Sequence, residues 1–360
     1  MGDKSCFDSK KGGQCLKVLV TGGAGFIGSN FVRFLLNARP EVEIVNFDKL
    51  TYAGNPESLA DVSQHPRYRF IRGDITDRNA VAGLFRDGFD VVVHFAAETH
   101  VDRSIEDASP FLQTNVFGTQ CLLEAARNFP KMRFIHISTD EVYGSAPAGV
   151  AFQEDSPLGP RSPYAASKAS AEHFVTAYAN TYGISAVILR CTNNFGPFQF
   201  PEKLIPLMIA NAGENKPLPI YGDGLQERDW LFVEDHCRAI DLAIEKAAPG
   251  SIYNVSSGVS QPNLKIVRAI LKILGKPDSL IQSVQDRPGH DRRYALDSSN
   301  IRRELGWTPL VSFEDGLSKT IEWYRANSEW LAHARSGEYR TYYERHYHRR
   351  TETFRSHVEP

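Results

Sequence analysis

Six short apolar runs recur along the first half of the chain, at Leu16–Thr21, Glu43–Phe47, Tyr68–Arg72, Asp90–Phe95, Met132–Ser138 and Ser185–Arg190. Most are separated by stretches with apolar residues at helical spacing. Runs of this length without strict alternation predict strands buried on both faces, and the intervening helices predict a parallel sheet. The expected fold is α/β, a doubly wound parallel sheet. After about Asn193 the text changes, with glycine and proline clustered in FGPFQFPEK, NKPLPIYGDG and DRPGH between shorter elements. That shift predicts a smaller C-terminal α/β lobe. The division expected is 15–192 for the sheet domain and 193–348 mainly for the lobe, with some of its segments returning to the sheet. Residues 1–14 and 349–360 are polar and read as mobile ends, while GEYRTYYERHY before the second of them reads as a short docking helix.

Composition narrows the function classes. Among 360 residues, 41 Lys+Arg face 43 Asp+Glu, a formal net charge of −2 without a basic patch, which argues against nucleic acid as a partner. No run of roughly 18 apolar residues could cross a membrane, and MGDKSCFDSKKGGQ lacks the apolar stretch of a secretory signal, so a cytoplasmic protein is expected. Five cysteines, without a CxxC pair or a CxxC/HxxxH grouping, indicate neither a disulfide framework nor a metal site.

The first candidate site follows the first strand. Gly22, Gly25, Phe26, Ile27 and Gly28 stand in the turn TGGAGFIG, directly before the helix-like SNFVRFLLNA. Glycine permits a tight turn and close approach of a pyrophosphate, and a helix N-terminus supplies free N–H groups and a positive dipole end. Asp48 lies 20 residues beyond Gly28 at the end of the second strand, where a carboxylate can accept hydrogen bonds from an adenosine ribose and would repel a 2′-phosphate. NAD is therefore the expected cofactor, which makes 15–192 an NAD-binding Rossmann domain; Lys49, Leu50 and Thr51 continue the loop, with Lys49 as the one nearby cation. Asp74 and Ile75 would flank the adenine, and Phe95, Ala96 and Ala97 would let the cofactor pass the end of the fourth strand.

The second candidate site is a catalytic group. Tyr164 and Lys168 share a helix face, four residues and roughly 6 Å apart. A phenol titrates near ~10, and an adjacent ammonium is expected to draw it toward working pH so that Tyr164 serves as a base. Ser138 and Thr139 would place hydroxyls at the carboxyl end of the sheet, and Asp140 and Glu141 follow them as adjacent carboxyl groups.

On these residues, GGAGFIG and YxxxK, the chain resembles the extended short-chain dehydrogenase/reductase family, whose members act on nucleotide sugars. More narrowly, DKLTYAGN (48–55), AAETHVDRSI (96–105), STDEVYG (138–144), SPYAASKA (162–169), TNNFGPFQFPEKLIP (192–206), QERDWLFVEDH (226–236) and DRPGHDRRYA (286–295) resemble the dTDP-glucose 4,6-dehydratases. The likeness runs from about 16 to 348, with Thr192 and Phe195 where Ser and Tyr would be expected. It implies a lyase in which Thr139 binds the sugar 4-hydroxyl, Tyr164 takes its proton, Glu141 abstracts the proton at carbon 5 and Asp140 protonates the departing carbon 6 hydroxyl. That division needs Asp140 protonated and Glu141 ionised, which like-charge coupling can produce.

The same resemblance places Lys203, Arg228 and Arg287 on the diphosphate, and Asn193, Leu204, Pro219, Ile220, Tyr221, Asn263, Asp286 and His290 around phosphate, base and ribose. It puts Thr99 near the sugar and Thr114 and Asn194 near the cofactor. A UDP-sugar 4-epimerase needs only the Tyr/Lys pair and a hydroxyl, and a UDP-sugar 4,6-dehydratase differs only in the base; both are rival readings. A non-catalytic NAD-sensing regulator would be expected to lose Tyr164, Lys168 or the carboxyl groups, and all are present. The helix-like runs 108–129 and 164–182 are apolar on more than one side, which predicts a homodimer through a four-helix contact.

Overall fold

The valine-rich runs become the centre of a sheet because residues alternating along each strand find helices on both sides. In the computed structural model, which describes residues 15–336, 342–347 and 350, the strands are β1 Leu16–Thr21, β2 Val42–Asp48, β3 Tyr68–Arg72, β4 Val91–His94, β5 Arg133–Thr139 and β6 Ser185–Cys191, then β7 Asn193–Phe195, β8 Leu218–Tyr221, β9 Glu227–Phe232, β10 Ile252–Val255, β11 Ser260–Pro262 and β12 Ile281–Val284. Seven form one parallel sheet in the order β10-β6-β5-β4-β1-β2-β3. The expected end at 1–14, and all of the expected end at 349–360 but Arg350, lie outside the described residues.

Each side of the sheet has its own core, as two-residue alternation requires. Val18, Val20, Val91 and Val93 pack with Phe31, Leu35, Ile240 and Ala243, from the helices Phe26–Ala38 and Val233–Lys246. Leu19, Val45, Val92 and Phe134 pack with Val81, Leu122 and Val175, from the helices Arg78–Phe85, Thr119–Ala126 and Pro163–Tyr182. The segment 233–255 thus returns to the sheet domain, and the buried Arg133 fastens it by donating to the carbonyls of Ala243 and Ile244 at 2.9 and 2.6 Å. The remaining lobe is built on β11-β9-β7 and β12-β8, with a core that includes Ile205, Met208, Ile266, Ile270 and Ile321.

The order in which strands are added reverses at β1: β2 and β3 lie to one side, β4, β5 and β6 to the other. At such a switch point the loops after neighbouring strands part, leaving a crevice at the carboxyl ends. The expected strand ends differ slightly. β5 runs one residue further than the apolar run, because Thr139 still pairs with Cys191 of β6. Residues 342–347 are helical, the described part of the expected docking helix. No helix among the described residues is long and apolar enough to cross a membrane.

Candidate active site

In the glycine turn after β1 the backbone packs too closely for side chains. Gly22 takes φ +74°, and a Cβ there would meet the Ala96 nitrogen at 2.5 Å. At Gly28 a Cβ would stand 2.4 Å from the Gly22 carbonyl oxygen. The helix Phe26–Ala38 begins at Gly25 with no side chain capping it, so its first N–H groups remain available to an anion. Asp48 ties the loop together: its two carboxylate oxygens accept from the Ala24 and Leu50 backbone N–H groups at 2.9 and 2.8 Å. Lys49 Nζ lies 2.7 Å from Asp74 Oδ2, so this cation beside Asp48 is already paired. These features fit NAD. Gly28→Ala is expected to shift the turn, destabilise the protein by about 1–3 kcal/mol and cut the bound cofactor; melting temperature and the NAD released on denaturation measure both.

One cleft runs from this turn to the catalytic group. It is lined by Gly22, Gly25, Phe26, Ile27, Gly28, Asp48, Lys49, Thr51, Asp74, Ile75, Phe95, Ala96, Ala97, Thr99 and Thr114, and also by Thr139, Asp140, Glu141, Tyr164, Lys168, Asn193, Asn194 and Lys203. Leu50, at φ 59°, does not line it; its backbone N–H serves Asp48 and its side chain packs on the sheet core. Thr114 lies in a π-helical turn, Leu112–Gly118, which widens the helix where it passes the cleft. Asn115 of that turn is buried and bonds the Glu98 backbone in both directions and the Ser167 hydroxyl.

The helix that carries Tyr164 and Lys168 starts where it does for local reasons. The Ser162 hydroxyl accepts from the Ala165 N–H at 3.1 Å, Pro163 fills the first turn, and Gly183 ends the helix at φ 71°. Tyr164 and Lys168 are both buried. Burial brings the Lys168 ammonium down to about 8 against the opposing pull of Glu172, and its Nζ donates to the Ile137 carbonyl at 2.7 Å. The expected lowering of the phenol is not found: burial and the nearby Glu141, Cys191 and Asp140 push Tyr164 well above the usual phenol range, with only the Thr139 hydrogen bond opposing them. Burial is the largest of these causes and is the physical reason; the Lys168 Nζ meanwhile donates to a backbone carbonyl at the strand end.

The two carboxyl groups are unequal. Asp140 is buried, and burial with the neighbouring Glu141 charge pushes it well above the carboxylate range. Its Oδ1 receives the Thr139 hydroxyl at 3.2 Å and its Oδ2 has no hydrogen-bond partner among the described residues. Glu141, partly exposed, is also raised by burial, yet Arg287, Arg228 and Lys203 all pull it back toward ionisation. The Tyr294 hydroxyl reaches its Oε2 at 3.4 Å.

The lobe residues divide. Lys203 Nζ donates to the Thr99 carbonyl at 2.7 Å, and the buried Arg228 donates to the Glu227 and Asp291 carbonyls at 2.8 and 2.9 Å while lying over the Tyr294 ring. Asp286 and Arg287 line a second cleft with Asp102, Glu106, His346 and Arg350. Tyr221 borders it, donating to Asp102 at 3.2 Å, and His290 contacts Asp286 at 2.6 Å. Arg287 belongs to both clefts electrostatically, since it faces Asp102 and Glu141. Asn263 begins the helix Asn263–Leu274 with a buried, unpartnered Oδ1. Pro219 is buried in β8, and Leu204 packs on the lobe core. Ile220 is a core side chain, so only its backbone can meet a ligand.

Glu98, Cys191, Gln199, Phe200 and Glu202 also line the main cleft and were not singled out from the sequence. Glu202, pushed up to about 7 by burial, was signalled only by its place beside Lys203 in FPEKLIP. No cluster that could hold a metal ion occurs among the described residues.

Comparison with known proteins agrees with this geometry. The family model for GDP-mannose 4,6 dehydratase matches residues 19–320. A dTDP-glucose 4,6-dehydratase of Neisseria meningitidis is 50% identical over 347 residues, covering 90% of this chain and 97% of that protein. Crystal structures of dTDP-glucose 4,6-dehydratases align over 89% of this chain: the Streptomyces venezuelae protein with NAD bound (TM-score 0.86, 50% identity, 100% of that chain) and the Bacillus anthracis protein in complex with NAD (TM-score 0.84, 45% identity, 99% of that chain).

Proposed function

The chain belongs to the dTDP-glucose 4,6-dehydratase family, and from that premise we propose that it converts dTDP-glucose to dTDP-4-keto-6-deoxy-glucose and water. The observation that carries this reading is the unequal pair, buried Asp140 and cation-flanked Glu141, beside Tyr164 at the sheet's carboxyl end. An epimerase has no use for such a pair, since it returns hydride to the carbon it left. NAD, when bound by the Gly22–Gly28 turn and Asp48, supplies the hydride acceptor at carbon 4 and the hydride donor at carbon 6.

The chain's own groups do the proton work. Thr139 holds the 4-hydroxyl and Tyr164 removes its proton, with Lys168 the nearest positive charge on the same helix face. Glu141, kept closer to ionisation by Arg287, Arg228 and Lys203, takes the carbon 5 proton, which the adjacent ketone acidifies. Asp140, kept neutral by burial, gives its proton to the leaving carbon 6 hydroxyl. The same three cations are the diphosphate ligands in this reading, with Arg favoured for two-pronged contact. Asn193, Asn263, Tyr221 and His290 then receive the rest of the nucleotide. Incubating the purified protein with dTDP-glucose and with UDP-glucose, and identifying products by mass and NMR, tests the substrate; product from UDP-glucose alone would reassign the base.

We further assign a homodimer and a cytoplasmic location. Leu112 is 57% exposed, and Phe174 and Tyr182 are 40% and 44% exposed on the neighbouring helix, which leaves an apolar strip for a second copy. Free thiols at Cys121, Cys191 and Cys237 suit a reducing compartment. Light scattering is expected to give a dimer at micromolar concentration, and Leu112→Glu with Phe174→Glu to give a folded monomer.

A further inference from the structure

Behind the turn that carries the two carboxyl groups lies a polar network that does not line the cleft. Tyr143, Glu172, Arg190 and Asn254 are all buried. Arg190 clasps Glu172, with Nε and Nη2 at 2.9 and 2.6 Å from Oε2. Its Nη1 donates to the Tyr143 phenol oxygen at 2.6 Å and to the Glu154 carbonyl at 2.9 Å. The Tyr143 hydroxyl donates onward to Asn254 Oδ1 at 2.8 Å, and Asn254 Nδ2 is held by the carbonyls of Phe152 and Asp297. The Tyr143 ring stacks on Phe152 at 5.0 Å with planes 14° apart. One hydroxyl, accepting from a guanidinium and donating to an amide, has a single favourable orientation, and a satisfied buried network of this kind is stiff.

The carboxyl groups themselves lack such ties. Among the described residues, Asp140 has only its neighbour Thr139, and Glu141 only the long contact to Tyr294. Their positions are therefore inherited from the backbone of the one-turn 3-10 segment Asp140–Tyr143. That turn is fixed at its start by the Thr139 hydroxyl, which accepts from the Glu141 N–H at 3.3 Å, and at its end by Tyr143. Lys168 is held by the Ile137 carbonyl on the helix that also carries Glu172, and Arg190 keeps Glu172 through Nε and Nη2, contacts that do not involve the Tyr143 hydroxyl.

We propose that Tyr143 is a positioning residue for the elimination half of the reaction: its hydroxyl, locked between Arg190 and Asn254, fixes the turn that aims Asp140 and Glu141, and leaves the Tyr164–Lys168 pair unaffected. The proposal rests on the roles given to those carboxyl groups above. It concerns a hydroxyl that touches no ligand, so its effect is on geometry, where misplacement by about 1 Å can cost ~10²-fold in rate.

Tyr143→Phe keeps the ring and its stack and removes only the hydroxyl. The holoenzyme is mixed rapidly with dTDP-glucose while two events are followed: near-ultraviolet absorbance of the reduced cofactor, and solvent deuterium entering carbon 5 with formation of the 6-deoxy product. The expected result is oxidation within about threefold of wild type and elimination slowed roughly 10- to 100-fold. Equal slowing of both steps, or slowing of neither, overturns the proposal. Should Tyr143→Phe fail to fold by circular dichroism, Asn254→Ser, which deletes the acceptor and keeps the phenol, is read in the same way. A wild-type protein that makes no 4-keto-6-deoxy product would refute the functional reading itself, whereas a competent wild type with an unsplit variant refutes only the role of Tyr143.

Discussion

Tyr164→Phe is expected to abolish the first chemical step while leaving the fold intact: dTDP-glucose binds, no reduced-cofactor absorbance appears, and turnover falls by at least the roughly 10²–10⁴-fold of a lost general base. The phenol is buried and pushed well above its ordinary range by burial and by Glu141, Cys191 and Asp140, so it does not reach the phenolate from these side chains alone. To take the proton of the sugar 4-hydroxyl it has to be in the phenolate form, which nearby positive charge favours. Lys168, brought down to about 8 and anchored on Ile137, is the cation this chain provides for that moment. Lys168→Met is therefore expected to slow the same step, and to leave elimination from a supplied 4-keto intermediate less affected. The Phe variant retains the ring contact with Phe111 at 6.3 Å, and losing one hydroxyl costs about 0.5–1.5 kcal/mol. Its melting temperature should stay within a few degrees of wild type; a large drop would trace the inactivity to unfolding instead.

The parts legible in the sequence are those whose causes are local. The run VVVH of β4 and the glycines at 22 and 28 state their conformation within a few residues, through apolar run length and through backbone that tolerates no Cβ. Asp140 and Glu141 were readable as a pair because they adjoin a strand end. What the sequence withheld are relations between distant segments. Nothing around Tyr143 announces Asn254, which lies 111 residues away, and Asp102 gives no sign that Tyr221 and Arg350 close on it. The direction of the Tyr164 shift is hidden for the same reason: the YxxxK spacing puts Lys168 on the right face but cannot show that the phenol is buried beside Glu141 and Cys191, which raise it. Ile220 is placed at the nucleotide by the resemblance, yet its strand alternation turns the side chain into the lobe core.

Separating Asp140 from Glu141 is the sharpest test of the chemistry, because oxidation at carbon 4 must precede elimination and uses neither carboxyl group. Glu141→Gln is expected to accumulate reduced cofactor and a 4-keto-glucose nucleotide, while exchange of the carbon 5 proton with solvent falls by roughly 10²–10⁴-fold. Asp140→Asn is expected to oxidise as well and to exchange carbon 5, since Glu141 is untouched, but to expel water poorly. The charge balance supports this order. Removing the Glu141 charge takes away the strongest neighbouring charge acting on Asp140, so in Glu141→Gln the Asp140 carboxyl becomes easier to ionise; its shift from burial remains. Glu141 is raised chiefly by burial, with Arg287, Arg228 and Lys203 opposing and Asp291 adding to the rise, and Asp140 is not among these causes, so Asp140→Asn leaves the balance on the base in place. In the wild type, deuterium placed at carbon 4 of dTDP-glucose should reappear at carbon 6 of the product, because the hydride returns within one cycle. Loss of the reduced-cofactor signal in Glu141→Gln as complete as in Tyr164→Phe, or escape of the carbon 4 label into solvent, would overturn the division of labour between the phenol and the two carboxyl groups.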